Sequence, residues 1–427
     1  MTSTLTGHPA LSDNARDRHL EPIRDRVLEG ARLSIEDGER LYETPDIWGV
    51  LELGDLVRRR MHSDRVYYNI NRHINYSNVC ALSCAFCEFY RKRGDEGAYE
   101  LDVEEIANRA REAQDNGATE VHIVGGLHPF HPFEYYTDMM CAIRKTAPLV
   151  HIKAFTAVEI VHLARIAKQY KSKDREVGIR WVLERLKEAG LGSLPGGGAE
   201  VFDDRVHDEA FKSKIRSDVW LDVHRVAHEI GLNTNATILY GHIDSRRERL
   251  VHMDILRRAQ DEALRRIGYD AREDGSVSLH HEGARLPSPD DLARGGYFQT
   301  LTPLPFFPDG SEIEHLPGPS GLENLRTLAI ARLMLDNFPH IKAFWIMQTL
   351  PMSQLQLRAG ADDIDGTVVW YDITKVGGTT THQEVSVRDL HRAIIEAGCV
   401  PVERDTLYRS VHRDGATWRL ASEPALS

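Results

Sequence analysis

The stretch that decides the fold is Asn71-Arg-His-Ile-Asn75-Tyr-Ser-Asn-Val-Cys80-Ala-Leu-Ser-Cys84-Ala-Phe-Cys87. Its first part alternates as a β-strand does, and its last part holds three cysteines spaced C-x3-C-x2-C. The chain has five cysteines among 427 residues. Random placement would produce this spacing on the order of 5 × 10⁻⁴ times. The cluster of cysteines therefore indicates chemistry.

Three neighbouring thiols favour an iron–sulfur cluster over a structural zinc site. Structural zinc takes four tetrahedral ligands, usually in two separated pairs, whereas a 4Fe-4S cluster bound by three thiolates leaves one iron open. The alternative is a zinc site completed by a nearby histidine such as His73. The other two cysteines, Cys141 and Cys399, are isolated, and we expect Cys141 to be a small buried residue of a helix.

Outward from this loop, short β-rich runs alternate with longer helical patterns, as in βα units around a parallel sheet. Eight such units predict an α/β fold, a single (β/α)8 TIM-type barrel. The predicted strands are Tyr68–Asn75, Glu120–Gly126, Val150–Ala157, Gly192–Gly196, Asn233–Tyr240, Tyr297–Leu304, Ala343–Gln348 and Gly366–Trp370.

The barrel, residues 66–370, is predicted to carry an extension at each end. Residues 1–65 show two amphipathic helices, the second opened by Ser34, which would cover one end of the barrel. Residues 371–427 form a C-terminal extension that we expect to pack back on the barrel. The polar, glycine-rich segment near 271–296 predicts a long exposed insertion between the fifth helix and the sixth strand.

The composition limits the class of partner. The formal net charge is −12 and no run of Lys and Arg exceeds three residues, so we expect no nucleic-acid partner and a small-molecule substrate. No apolar run is long enough to span a membrane, and no secretory signal opens the chain. Few cysteines and no disulfide pattern fit a reducing compartment, and we expect a cytoplasmic protein.

The cysteine loop directly after the first barrel strand, with Phe86 before the last cysteine, resembles that of the radical S-adenosylmethionine superfamily. The resemblance implies that Cys80, Cys84 and Cys87 bind a 4Fe-4S cluster whose open iron is chelated by S-adenosylmethionine. One electron from the cluster would cleave the sulfonium to methionine and a 5′-deoxyadenosyl radical, chemistry that side chains cannot perform. It also implies an electron donor such as flavodoxin or ferredoxin.

A closer resemblance covers most of the chain and points to the aminodeoxyfutalosine synthase family of menaquinone biosynthesis. The phrase Lys153-Ala-Phe-Thr-Ala-Val-Glu159 favours this family over the alternative, the cyclic dehypoxanthinylfutalosine synthases and FO synthase subunits. The other similar segments are Asn71–Cys80, Val121–Pro129, Ser193–Glu200 and Asn233–His242.

The family resemblance also implies a reaction. The radical would add to the terminal methylene of 3-[(1-carboxyvinyl)oxy]benzoate, and aryl migration with loss of one carboxyl carbon would give 6-amino-6-deoxyfutalosine. S-adenosylmethionine is then a co-substrate as well as a cofactor, because its adenosyl part ends in the product.

Alternation along the strands predicts which side chains face the lumen near the C-terminal strand ends, where barrel active sites form. The two substrate carboxylates need cationic or donor partners, and His73, Lys153 and His128 are the candidate catalytic residues, with His242 as a further candidate. The alternatives are a hydrogen-bonded core layer for His73, a buried salt bridge from Lys153 to Glu159 or Glu200, and a loop position for His128.

A second set of residues is predicted to bind S-adenosylmethionine. The resemblance places the Gly125-Gly126 pair where backbone carbonyls receive the methionine amino group, and Glu200 where it can hydrogen-bond the ribose. The alternative for Glu200 is a carboxylate at a helix N-terminus. The full set of candidate cofactor-binding residues is Phe86, Gly125, Gly126, Glu159, Glu200 and Asn235.

Two hypotheses from other classes compete with this interpretation. A zinc-dependent barrel hydrolase would need ligands at several strand ends, yet the only adjacent histidine pair, His280-His281, lies in the insertion. A non-enzymatic iron–sulfur carrier would need no cavity, which the polar lumen and glycine openings argue against.

Overall fold

The computed structural model describes residues 17–198, 200–212, 214–368 and 383–421. Three short 3₁₀ segments are Arg18–Leu20, Ser172–Asp174 and Pro289–Ala293. The helices are α1 (Glu21–Leu28), α2 (Ile35–Glu43), α3 (Ile47–His62), α4 (Val103–Asp115), α5 (Phe133–Thr146), α6 (Ala157–Ile166), α7 (Arg175–Ala189), α8 (Asp204–Ala210), α9 (Ser217–Glu229), α10 (Arg246–Arg266), α11 (Gly321–Met334), α12 (Trp345–Gln348), α13 (Leu350–Gln356) and α14 (Val387–Glu396). The strands are β1 (Arg65–Asn69), β2 (Asn71–Ile74), β3 (Glu120–Ile123), β4 (His151–Ala154), β5 (Ser193–Leu194), β6 (Asn233–Tyr240), β7 (Phe298–Pro305), β8 (His340–Ile341), β9 (Asp363–Gly366), β10 (Val400–Glu403), β11 (Val411–Asp414) and β12 (Thr417–Leu420).

Eight parallel strand positions close into the predicted barrel. A seven-stranded parallel sheet runs in the order β2-β3-β4-β5-β6-β7-β8. The bridge between Lys342 and Asp363 joins the end of β8 to β9. In turn β9 pairs in parallel with β1, which continues into β2 after Ile70. The ring of strands surrounded by helices confirms the (β/α)8 fold class.

Most predicted strand boundaries differ from the observed ones by one to three residues, and the seventh strand is misplaced altogether. The fifth strand matches β6 residue for residue, but the predicted seventh strand, Ala343–Gln348, is wrong because β8 ends at Ile341 and Trp345–Gln348 is helical. An apolar run this short fits a buried helix as well as a strand, and every side chain in it is buried. The eighth strand begins three residues earlier than predicted, and the predicted residues 369–370 lie outside the described residues.

Helix starts follow local capping chemistry. The side chain of Asp102 accepts a hydrogen bond from the N–H of Glu105 at 2.8 Å and opens α4. Ser34 and Asp37 form a reciprocal capping box at the start of α2, as the position of Ser34 predicts. Such caps satisfy backbone N–H groups that a helix leaves without partners in its first turn.

The segment before the barrel forms three helices where two were predicted. They lie along the outside of the helical ring, since α2 contacts α10 and α11, and α3 packs against α11. A Cβ atom on Gly54 would lie 2.3 Å from the carbonyl oxygen of Ala359, so α3 needs glycine for this close approach. At the end of α3, the Nε2 atom of His62 lies 2.9 Å from the carbonyl oxygen of Pro339, beside the first residue of β8.

Two expectations about burial are wrong. Residues 276–280 of the insertion are buried, because Arg32 donates to the Val277 carbonyl at 3.1 Å and the N–H of Leu279 donates to the Asp336 carbonyl at 2.6 Å. Polar composition predicted exposure, but these contacts with the N-terminal segment and with the loop after α11 satisfy the backbone. Cys141 is exposed on α5 instead of buried.

The described part of the C-terminal segment, residues 383–421, lies against the barrel. Strand β10 pairs in parallel with β1, and β11 and β12 form an antiparallel hairpin. Arg413 of the hairpin forms an ion pair with Glu403 and donates to the carbonyl of Gly117 at 2.8 Å. None of the helices within the described ranges combines the length and the apolar character that crossing a membrane requires. The proposed domain boundaries stay predictions.

Candidate active site

A cavity of about 340 Å³ opens where the barrel strands end. All three clustered cysteines line it, together with glycines that follow β3 and β5 and with charged side chains from the strands themselves. Every predicted cofactor-binding residue lines this cavity. The predicted members are Phe86, Gly125, Gly126, Glu159, Glu200 and Asn235.

Hydrogen bonds within residues 80–92 hold the cysteine loop in its conformation. The N–H of Cys80 donates to the Arg91 carbonyl at 3.0 Å, and the N–H of Cys87 donates to the Cys84 carbonyl at 3.0 Å. The ammonium of Lys92 donates to the carbonyls of Cys80 and Leu82 at 3.0 and 2.8 Å. These bonds fix where the three thiols enter the cavity.

The thiols fit an iron–sulfur cluster. Burial raises the pKa of the Cys80 and Cys87 thiols, so thiolates here need a bound metal to stabilise their charge. The Cys80 sulfur already accepts N–H groups from Leu82 and Leu127, each at 3.4 Å, as a sulfur ligand of a cluster does. His73, the fourth ligand of the zinc alternative, lies within β2 with its ring stacked on His122.

The glycine pair after β3 is required by packing. A Cβ on Gly126 would lie 2.4 Å from the Val79 carbonyl oxygen, and one on Gly125 would lie 2.7 Å from the Tyr76 ring. Only glycine lets the end of β3 approach the cysteine loop this closely. The pair therefore couples the position of the strand end to that of the thiols.

Glu159 is buried at the start of α6 and ties three elements together. Its carboxylate accepts the N–H and hydroxyl of Thr156 at 2.7 and 2.8 Å, the Tyr76 hydroxyl at 2.9 Å and the Gly125 N–H at 3.1 Å. Burial raises the pKa of this carboxyl to about 7, against the effect of these hydrogen bonds. Its contacts make it a positioning group for the glycine pair.

Glu200 forms a buried ion pair with Lys214, a residue that the sequence analysis missed. The Lys214 ammonium also lies 4.6 Å from the centre of the Phe86 ring. Burial acts to lower the pKa of Lys214, but Glu200 and the nearby thiols of Cys84 and Cys87 outweigh it and raise that pKa. No strand pattern marks Lys214, because it lies in the loop between α8 and α9.

We call one part of the cavity lining the floor: the imidazole and charged side chains that lie within strands β2, β3, β4 and β9 or directly after β8, namely His73, His122, Lys153, Asp365 and Lys342. The rings of His73 and His122 stack with centroids 4.4 Å apart. Lys153 donates to Glu120 at 2.8 Å, and Lys342 donates to Asp365 at 2.7 Å.

Lys153 does form a buried salt bridge, as the alternative for this residue holds, but its partner is Glu120 and neither of the two glutamates named there. Glu120 lies two residues before His122 on the neighbouring strand β3, whereas Glu159 and Glu200 are bound elsewhere. Pairing across strands depends on register, which the predicted strands did not specify. Sequence reasoning also missed His122 and Lys342, although alternation along β3 places His122 on the same face as Glu120.

Two candidate substrate contacts lie outside this cavity. The Nε2 atom of His128 lies 3.0 Å from Glu100, and its Nδ1 atom accepts the N–H of His131 at 3.1 Å. The ring of His242 is held by the Leu239 carbonyl at 2.9 Å, with Asp244 3.4 Å away. The structure therefore brings together His73 and Lys153 but does not bring His128 or His242 to them.

Residues 74–256 match the family described as the radical SAM superfamily, and residues 296–415 match the CofH/MqnC C-terminal region. Methylornithine synthase superposes with a TM-score of 0.65 at 16% identity, covering 89% of this chain and 97% of that one. The FeFe-hydrogenase maturase HydG from Carboxydothermus hydrogenoformans gives 0.62 at 14% identity, covering 91% and 80%. These two likenesses show the fold. With the cysteine motif and the family match, the protein is a radical S-adenosylmethionine enzyme.

Relatives with known names specify the family of this chain within the radical S-adenosylmethionine enzymes. Aminodeoxyfutalosine synthase from Thermus thermophilus is 42% identical over 400 residues, 93% of this chain and 97% of the relative. The Streptomyces coelicolor protein of that name is 38% identical over 90% of this chain and 92% of its own. A 5-amino-6-(D-ribitylamino)uracil–L-tyrosine 4-hydroxyphenyl transferase from Methanopyrus kandleri is 34% identical over 86% and 90%. The chain belongs to the aminodeoxyfutalosine synthase family.

Proposed function

We propose that this chain joins S-adenosylmethionine to 3-[(1-carboxyvinyl)oxy]benzoate and produces 6-amino-6-deoxyfutalosine for menaquinone biosynthesis. The observation that carries the proposal is one cavity lined by the three thiols, the glycine pair and Glu200 above a floor with two lysines. The names of the two bacterial relatives support it.

Cys80, Cys84 and Cys87 would hold the 4Fe-4S cluster, which supplies the electron that cleaves S-adenosylmethionine. The loop's own hydrogen bonds keep the three sulfurs together at the cavity wall. The N–H groups of Leu82 and Leu127 donate toward the Cys80 sulfur and would stabilise negative charge there.

Three groups at the cavity wall would bind S-adenosylmethionine as co-substrate. The backbone of Gly125 and Gly126 would accept the methionine ammonium, held in place by Glu159 through the Gly125 N–H. Glu200 would accept hydrogen bonds from the ribose hydroxyls, and Lys214 balances its charge in the structure described here.

The wall between the thiols and the floor would keep water from the reacting atoms. Its apolar side chains include Val124, Leu304, Phe306, Phe344 and Met347. Apolar side chains that exclude water would prevent quenching of a radical by solvent. Asn235 on β6 would provide a neutral polar contact. The electron donor, a small redox protein such as flavodoxin or ferredoxin, remains part of the proposal.

Product analysis tests the function. Anaerobically cluster-loaded protein is incubated with reductant, the enol ether and S-adenosylmethionine labelled in its adenosyl group. We expect the label in 6-amino-6-deoxyfutalosine, detected by mass spectrometry. Cys84→Ala should lose both the cluster and the product, whereas Cys141→Ala should keep them. Stoichiometric labelled 5′-deoxyadenosine without an adenosylated product would instead support a relative that abstracts hydrogen.

A further inference from the structure

The charged groups of the floor have no part in binding S-adenosylmethionine as described above. We propose that Lys342, together with Lys153, forms the receptor for the benzoate carboxylate of the substrate. This inference rests on the proposed function and adds the residues that recognise the end of the substrate remote from the reacting carbon.

The two ammonium groups reach the floor from different parts of the barrel wall. Lys153 lies within β4 and Lys342 directly follows β8, and both are buried, at 3% and 6% exposure. Within the described ranges each ammonium donates a single hydrogen bond, Lys153 to Glu120 and Lys342 to Asp365. Because an ammonium has three donors, each lysine retains capacity for a ligand.

A contribution to folding stability does not by itself explain the ion pairs that the two lysines form with Glu120 and Asp365. Desolvation of two buried charges offsets most of their attraction, and apolar residues of similar volume usually stabilise a protein as well. Both lysines line the cavity instead of packing in the closed core. Their charges are therefore placed where a bound anion can contact them.

The neighbouring imidazoles suit a carboxylate ligand. Burial is the main reason that the pKa of His73 is lowered to about 4. The two lysines act in the same direction, whereas Asp365 and Glu120 oppose them. His73 is then neutral near pH 7, so its ring can donate one N–H without adding a third positive charge. The floor offers two ammonium donors, each paired with one carboxylate, and neutral imidazole donors around one pocket.

The depth of the floor selects which carboxylate binds there. His122 is in register with Lys153, and Gly125 lies three residues further along the chain from His122. At about 3.3 Å per strand residue, the floor lies about 10 Å below the glycine pair. The methylene that reacts must lie near the thiols. The enol carboxylate must lie there too, because it is bonded to the same vinyl carbon as the methylene. The benzoate carboxylate therefore points to the floor.

Binding of two unreactive acids tests the receptor. The probes are 3-(carboxymethoxy)benzoate, a saturated dicarboxylate, and phenoxyacetate, which lacks the benzoate carboxylate. Both are titrated by calorimetry into cluster-loaded protein with S-adenosylmethionine and without reductant. Wild type should prefer the dicarboxylate, and Lys342→Met should reduce that affinity about ten- to a hundredfold, the value of a charge-assisted hydrogen bond. Phenoxyacetate affinity should hardly change.

The matched control is Lys145→Met, an exposed lysine on α5, which should bind both acids as wild type does. If Lys342→Met does not fold, the double variant Lys342→Met/Asp365→Asn removes the pair without leaving a buried carboxylate and should show the same selective loss. Equal affinity of wild type for the two acids, or a folded variant that keeps the wild-type preference, would overturn the assignment.

The product assay tests the proposed reaction, and the binding assay tests the role of Lys342, so the two can be wrong independently. If wild type makes no 6-amino-6-deoxyfutalosine, the proposed function is wrong. If it makes this product and Lys342 variants retain the preference for the dicarboxylate, the function stands and the role of Lys342 is wrong.

Discussion

Glu200 has one partner in the structure and a second in the proposed complex. It pairs with Lys214 here, and it would accept hydrogen bonds from the ribose when S-adenosylmethionine is bound. Glu200 is buried and the Lys214 side chain is only 15% exposed, so each charge is stabilised by the other or by a ligand in its place. A ribose that binds Glu200 would share the carboxylate with Lys214. The ion pair therefore keeps the carboxylate oriented for a hydroxyl donor.

At the residue scale, Glu200→Ala should weaken S-adenosylmethionine binding about ten- to a hundredfold, because a charge-assisted hydrogen bond is worth about 1.5 to 3 kcal/mol. Equilibrium binding to cluster-loaded protein measures this. Glu209→Ala, which removes an exposed carboxylate of α8, is the control. Unchanged affinity in Glu200→Ala would leave Glu200 as the counter-ion of Lys214 alone.

At the scale of elements, the end of β3, the start of α6 and the cysteine loop form one unit. Glu159 caps α6 and holds the Gly125 N–H, while Gly126 packs on the Val79 carbonyl just before the first thiol. A shift of β3 would therefore move the glycine pair and the thiols together. We therefore expect binding of the co-substrate to depend on this packing.

Gly126→Ala tests this coupling. The added Cβ would lie 2.4 Å from the Val79 carbonyl oxygen, so the loop must shift. We expect lower iron content after reconstitution and weaker S-adenosylmethionine binding, with far-ultraviolet circular dichroism preserved. Gly321→Ala is the control, because its Cβ would meet only the flexible end of Met352. Normal iron content in Gly126→Ala would contradict the coupling.

At the scale of the whole molecule, we expect buried and half-buried histidines to make the fold sensitive to mild acid. Burial lowers the pKa of five of them to between about 3 and 4, below the ordinary 6.5. Since the unfolded chain binds these protons more readily, stability is full above pH 6.5 and falls as the pH drops toward 4. The five are His62, His73, His151, His224 and His252.

His224→Phe should reduce this acid sensitivity. The ring is fully buried against Trp220, with centroids 3.7 Å apart, and burial is the cause of its low pKa of about 3. Removing it should lower the slope of unfolding free energy by about 1.4 kcal/mol per pH unit between pH 4 and 6. Denaturant unfolding at several pH values measures the slope. The exposed His412→Phe is the control, and parallel curves for His224→Phe and wild type would refute the prediction.

The sequence by itself determined the barrel, the cysteine motif and the candidate cofactor-binding residues that line the cavity. These depend on local signals, since alternation, caps and the C-x3-C-x2-C spacing all act within a few residues. The position of Gly125 and Gly126 after a strand and the inward direction of Lys153 follow from the same periodicity. They could be predicted without knowing what lies opposite.

The tertiary structure decided which groups meet. Lys153 pairs with Glu120 because the register of β3 and β4 places them together, and Lys342 joins them because the ring closes between β8 and β9. His128, two residues past the predicted second strand, lies beside Glu100 and does not line the cavity. Contacts between residues far apart in the chain depend on register, ring closure and loop direction, which short-range periodicity does not contain.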